Sequence, residues 1–274
     1  MTLRTPAGLG LGALAALALV FFAIPVVGLV VRAVTGGALL DAFATPAVRD
    51  ALVLSLVTTT VSLVLAVLLG TPLALLLARR RFRGSSLLET IVDLPIVLPP
   101  SVAGLALLLV FGRSGLLGGA LEVAGIQVPF TTLAVVLAQT FVAAPFFVRT
   151  ARAGIAGVDP QLEDAARDLG AEETSVVRRI TLPLAGPALA AGMVLCWSRA
   201  LGEFGATIMF AGNLPGVTQT LPLVVYSEFQ SGDLEASIAA AAILIVAAFG
   251  VLLAVRALRW GTALNLRGGG MAGS

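Results

Sequence analysis

Lysine and histidine are both absent from this 274-residue chain, so all 17 basic residues are arginine. Without lysine there can be no phosphate-binding loop of the G-x-x-x-x-G-K-[ST] form. Without histidine there is neither a histidine metal site nor a Ser-His-Asp triad. Cys196 is the lone cysteine, which excludes an intrachain disulfide. Charge is also scarce: charged residues make up 12%, about half the share of a soluble domain, while 58% are hydrophobic. A net charge of only +2 does not indicate nucleic-acid binding, despite the high pI of 9.4.

What is present is long apolar runs, and the mean hydropathy is +1.05. Runs of 18 or more apolar residues can cross a hydrocarbon core of ~30 Å as helices. A membrane barrel would instead show alternating segments of ~10 residues. The expected fold is therefore all-α, a polytopic membrane protein with six transmembrane helices. The spans fall at about 9–31, 51–78, 87–111, 131–148, 183–210 and 236–258, and 1–274 form one transmembrane domain. The first run is longer than the apolar core of a secretory signal and is expected to be retained. The third holds Pro95, Pro99 and Pro100, which are expected to kink or interrupt it.

Six spans place both ends on one side, and arginine decides which. Thirteen arginines lie in the N-terminus, the 79–84 loop, the 149–182 loop and the C-terminal tail. Only Arg32, Arg49 and Arg113 lie in the opposite loops, and Arg199 is inside a span. The positive-inside rule then puts both termini and the 149–182 loop in the cytoplasm.

Nine of the 32 charged residues fall within that loop, between Asp159 and Arg179. Asp159-Pro160 is a helix start: the Asp caps free N–H groups and the Pro suits the first helical position. Leu162, Ala165, Ala166 and Leu169 follow at i, i+3, i+4 and i+7 and form one apolar stripe. Gln161, Glu163, Asp164, Arg167 and Asp168 fill the rest of the surface, and Gly170 stops the helix. A second short helix is expected from about Glu172, with Val176, Val177 and Ile180 on its apolar side and "TLP" ending it. Helices this short are marginal alone and must pack on something. Two readings are open: packing on the chain's own helix ends, or docking of a cytoplasmic partner.

Within the fifth run, Arg199 and Glu203 are four residues apart and can pair. Each isolated charge at mid-bilayer costs ~2.5–3.5 kcal/mol. Here too two readings stand: a structural ion pair, or a pathway-lining or gating element. Gly202 and Gly205 beside it allow close helix approach. Glu89 and Asp93 read as helix-entry charges, and Gln139, Thr140, Ser198 and Thr207 as either pathway donors or interhelical glue.

Residues 164–187, "DAARDLGAEETSVVRRITLPLAGP", resemble the EAA loop of prokaryotic ABC importer permeases. Ala165, Ala166, Gly170, Ile180, Leu182, Pro183 and Pro187 fall in the motif's places, with Asp164 where the motif has Glu and Glu163 one place earlier. Residues 199–226, "RALGEFGATIMFAGNLPGVTQTLPLVVY", resemble the molybdate and tungstate branch; sulfate permeases share the first part of this stretch. The resemblance implies a coupling helix at Asp159, Leu162, Glu163, Asp164, Ala165, Ala166, Leu169 and Gly170 that inserts into an ATP-binding cassette subunit. It implies a translocation pathway or gate involving Arg199, Glu203, Thr207 and Asn213. It further implies a homodimer in the cytoplasmic membrane of a prokaryote and an extracytoplasmic oxyanion-binding protein. The chain itself would hold no cofactor and no metal, with ATP and Mg on the partner subunit, and would not be an enzyme. An ion-coupled secondary transporter, with Arg199 and Glu203 as relay, is the alternative from another class.

Overall fold

The computed structural model describes residues 6–37, 45–80 and 82–268, with side chains described between 10 and 250 of these and at Leu253. Arg4 and Arg81, counted above for topology, lie outside the described residues, as do the side chains of Arg256, Arg259 and Arg267. All regular structure among the described residues is helical. The helices are α1 (Pro6–Thr35), α2 (Pro46–Arg79), α3 (Ser85–Val97), α4 (Pro100–Phe111), α5 (Gly118–Val123) and α6 (Thr132–Ala156). They continue with α7 (Pro160–Asp168), α8 (Glu173–Val176), a π-helical turn (Val177–Thr181), α9 (Leu182–Leu201), α10 (Gly205–Phe210), α11 (Leu221–Ser231) and α12 (Leu234–Gly268).

At the centre α6 packs against both α2 and α9. The inner face of α2 is a stripe of small residues, including Ala51, Ser55, Thr59, Ser62, Ala66, Gly70 and Ala74. Small side chains let helix backbones approach where no water drives association. Their hydroxyls join elements: Ser62 Oγ donates to Val136 O at 3.0 Å and to Gln139 Oε1 at 3.2 Å. Ser55 Oγ accepts the Leu221 N–H at 2.8 Å and so fixes the start of α11. Of the polar candidates, then, Gln139 serves as interhelical glue. Phe147, Ile155, Ala185, Cys196 and Ala200 complete the α2–α6–α9 core. A second core joins α4, α6 and α10 through Leu107, Val135, Val142 and Phe210. The third joins α2, α11 and α12 through Ala51, Leu221, Val224 and Ile243. Large apolar side chains such as Leu17, Phe21, Phe22, Leu68 and Leu69 point outward, as a lipid-facing surface requires.

The expected spans are met in part. Four helical runs are long and apolar enough to cross a bilayer: in α1, α2, α6 and the continuous run Glu173–Leu201. The expected third span is two helices, α3 and α4, whose axes differ by 117°. Each is about 20 Å long at 1.5 Å per residue, too short to cross by itself. The cause is Pro99-Pro100: Leu98 is held extended at ψ 134°, and neither proline has an N–H to continue the ladder. Counting this pair as one span gives five. The sixth expected run lies in α12, whose described apolar part is Leu234–Gly250. The expected fifth span breaks after Leu201 and resumes as α10.

Candidate functional site: the α7 hairpin and the α9–α10 break

At one end of the bundle, α7 begins as its sequence requires. Asp159 Oδ1 accepts the Gln161 N–H at 3.0 Å, with Pro160 in the first turn. The chain reverses at Gly170, whose φ of +86° suits glycine. One acid of α7 departs from expectation, and the apolar stripe does not pack on the chain's own bundle. Leu169 is 90% exposed and Leu162 49%, with Ala165 exposed and Ala166 half-buried. The apolar stripe therefore faces outward. Glu163, expected on the solvated surface, is only 4% exposed. Its Oε1 accepts from Arg79 Nη2 at 2.6 Å and from Thr181 Oγ1 at 2.7 Å. Arg79 Nη2 also reaches Val158 O at 3.3 Å. The burial of Glu163 has a simple cause: the surface beneath α7 is the arginine-bearing end of α2 and a buried hydroxyl, so it calls for a carboxylate rather than a leucine.

Arg167 ties the hairpin together on its outer side. Its Nη1 meets Asp164 at 2.7 Å, and its Nε and Nη2 hold Glu173 in a two-pronged contact at 2.9 and 3.0 Å. The hydrogen bond from Arg167 lowers the Glu173 pKa, and that same bond raises Arg167. The motif's acid, Asp164, is thus exposed, while its neighbour Glu163 points inward.

The second short helix does not end at "TLP". Glu173–Val176 passes through the π turn directly into α9, where the Leu182 N–H reaches back to Val177 O. Pro183 has no N–H and its ring crowds the preceding turn of an α-helix. The wider π turn is where the helix accommodates it. Val176 is buried, with Val177 and Ile180 partly so.

At the far end of α9, Arg199 Nη2 and Glu203 Oε2 are 2.8 Å apart, and Glu203 is 1% exposed. The expected pair forms, but not along one uninterrupted helix: Glu203 lies beyond the end of α9. Its Oε1 accepts the Ala206 N–H at 2.7 Å and so caps α10. Thr207 sits one turn into α10, buried, with no hydrogen-bond partner for Oγ1 among the described residues. Gly205 does allow a close approach, since a Cβ there would lie 2.7 Å from Pro100 Cβ; Gly202 faces no such neighbour. Asn213 belongs to a different cluster, donating to Ser227 Oγ of α11 at 2.6 Å beside Gln219. The Phe204 and Tyr226 rings, 5.0 Å apart, join the break to the same helix.

Sequence reasoning passed over Arg79 and Thr181; the signal available was an arginine at a span end and a threonine beside the motif prolines. Glu89 and Asp93 are not free helix-entry charges. They pair with Arg152 at 2.8 Å and Arg149 at 3.6 Å across a crevice of about 430 Å³ between α3 and α6. No group of His, Cys, Asp or Glu able to hold a metal occurs among the described residues.

Comparison with known proteins agrees with this architecture. Residues 70–260 match the family described as "binding-protein-dependent transport system inner membrane component". The molybdenum transport system permease protein ModB of Mycobacterium tuberculosis is 46% identical over 239 residues, 87% of this chain and 90% of its own. A probable molybdenum ABC transporter permease of Haloferax volcanii is 42% identical over 247 residues, 89% of this chain and 88% of its own. Among solved structures, a bacterial ABC transporter that imports the acidic polysaccharide alginate superposes with a TM-score of 0.73. It is 19% identical, and the match covers 90% of this chain and 94% of that one. The chain belongs to the family of binding-protein-dependent transport system inner membrane components, the permeases of ABC importers.

Proposed function

We propose that the chain is the transmembrane subunit of an ATP-driven importer of molybdate or tungstate. The observation that carries this is its 41–46% identity, over most of its length, to permeases named for molybdenum transport. It acts as a single permease domain in the cytoplasmic membrane of a prokaryote, with both termini and α7 on the cytoplasmic side. Two copies form the pathway. An extracytoplasmic binding protein delivers the oxyanion, and an ATP-binding subunit holds ATP and Mg and hydrolyses ATP.

The outward stripe of Leu162, Ala165 and Leu169 supports docking of that subunit, since an exposed apolar face needs a cover. At the other end, Glu203 neutralised by Arg199 repels a passing oxyanion less than a bare carboxylate would. Alternating access follows: closure of the ATP-binding pair draws the two α7 helices together and opens the pathway outward.

The test is uptake into liposomes holding the chain, its ATP-binding subunit and its binding protein. ATP-dependent molybdate uptake that excess sulfate does not inhibit is expected. Equal competition by sulfate would move the assignment to a sulfate permease. Uptake by the chain alone, without an ATPase, would refute the importer reading.

A further inference from the structure

We propose that Glu163 is a positioning residue: clamped by Arg79 and Thr181, it fastens the coupling helix to two spans at once, so that a push on α7 moves α2 and α9 as one body. This rests on the importer reading above and adds the residue through which force leaves the docking helix.

Four observations carry it. Glu163 is the acid of α7 that turns inward; Asp159, Asp164 and Asp168 are all exposed. Its partners come from different elements: Arg79 is the last residue of α2, and Thr181 closes the π turn at the root of α9. Both contacts converge on one oxygen, Oε1, at 2.6 and 2.7 Å. Glu163 and Thr181 are buried, where a charge-assisted contact is stiffer than at the surface because little water competes for it.

The rest of α7 is weakly held. Its leucines face outward, and its outer salt bridge runs from Arg167 to Glu173, at the start of the same helical run that holds Thr181. Arg167 thus fastens α7 to the α9 run, and Glu163 adds the connection to α2. Beyond Thr181 the helix continues without a break to Leu201, two residues short of Glu203. A displacement at α7 therefore reaches the α9–α10 break through continuous helix. Arg79 suits its place for a second reason: a cation at a helix C-terminus is favoured by the backbone dipoles.

The experiment uses the complete complex in liposomes with three variants: Glu163→Gln, Thr181→Val and Thr181→Ser. Gln keeps the size of Glu and loses the charge; Val keeps the shape of Thr and loses the donor; Ser restores the donor. Co-purification of the ATP-binding subunit, ATP hydrolysis and molybdate moved per ATP are measured together. Glu163→Gln and Thr181→Val are expected to retain the subunit and to hydrolyse ATP. Molybdate moved per ATP is expected to fall about tenfold, the change that ~1.4 kcal/mol of lost coupling makes. Thr181→Ser is expected to keep the parent ratio. A merely structural residue would lower all three readouts together, and that result overturns the proposal. So does a parent-like ratio in both Glu163→Gln and Thr181→Val, or a Thr181→Ser variant as uncoupled as Thr181→Val. Failure of the parent complex to take up any oxyanion with ATP overturns the importer reading itself, and this assignment with it.

Discussion

Glu203 is the residue whose loss is most sharply forecast by its surroundings. It is 1% exposed, pairs with Arg199 at 2.8 Å and caps α10 through the Ala206 N–H at 2.7 Å. Glu203→Ala removes both contacts and leaves Arg199 without its counter-ion inside an apolar run. Breaking a buried pair from one side costs about 3–5 kcal/mol. Arg199 retains 29% side-chain exposure, so the lower part of that range applies. Glu203→Gln keeps an oxygen to accept from Ala206 and loses only the charge; a hydrogen bond to a charged group is worth about 1.5–3 kcal/mol, and that sets its cost. Arg199→Met spares Glu203 its cap but leaves a buried carboxylate unpaired. The double variant Arg199→Met/Glu203→Gln leaves neither charge stranded. It should be more stable than the sum of the two single losses implies, by about 1–3 kcal/mol. Reversible unfolding of the four proteins in detergent micelles measures the cycle. Additive losses within about 0.5 kcal/mol would refute the pairing as an energetic fact.

Leu169→Asp should leave unfolding of the chain within about 0.5 kcal/mol of the parent, because the side chain is exposed. Pull-down of the ATP-binding subunit should fail in the same variant; a normal pull-down would exclude this face as the docking surface. Gly104→Val should destabilise by about 1–3 kcal/mol, since even a Cβ would lie 2.6 Å from Ala206 O where α4 crosses α10. Gly119→Ala, with open space around it, is the neutral control in the same unfolding assay. The Arg167–Glu173 clamp should be pH-dependent. Glu173 is lowered in the folded chain, so its contribution is complete above the unfolded carboxylate value of 4.5 and is lost as pH falls through the lower folded value. Hydrogen exchange of the α7–α8 amides should therefore change little from pH 7 down to the usual carboxylate range and speed up, after correction for intrinsic rates, only below it. Loss of protection near neutrality would disprove the clamp.

Length and hydropathy made the membrane class and the approximate positions of the helices legible, because bilayer thickness imposes both. They did not reveal where helices break. The proline pair at 99–100 signalled an interruption, but the 117° bend depends on how α4 packs against α10, which is a tertiary matter. The break after Leu201 had only Gly202 as a local sign. In α7, periodicity identified the apolar stripe and left its orientation open. A stripe says which residues share a face; it does not say whether that face meets the chain's own bundle or a partner. Arg79 and Thr181 beneath α7, 84 residues earlier and 18 later in the chain, turn Glu163 inward.

The adjacent acids Glu163 and Asp164 then acquire separate tasks. Successive residues on a helix point about 100° apart. One carboxylate can enter a buried clamp while the next remains exposed beside Arg167, available to whatever covers the outer face. A single acid could not do both. The far end of α9 is arranged differently, for there the single acid Glu203 binds Arg199 with one oxygen and caps α10 with the other. The buried carboxylates among the described residues thus stand at the two ends of one helical run, about 30 Å apart for a helix of α9's length. Buried pairs are poor sources of net stability, since desolvation offsets much of their attraction. Their value at these two places is geometric: each fixes a helix end against a neighbouring element, and the continuous helix between them links the two places.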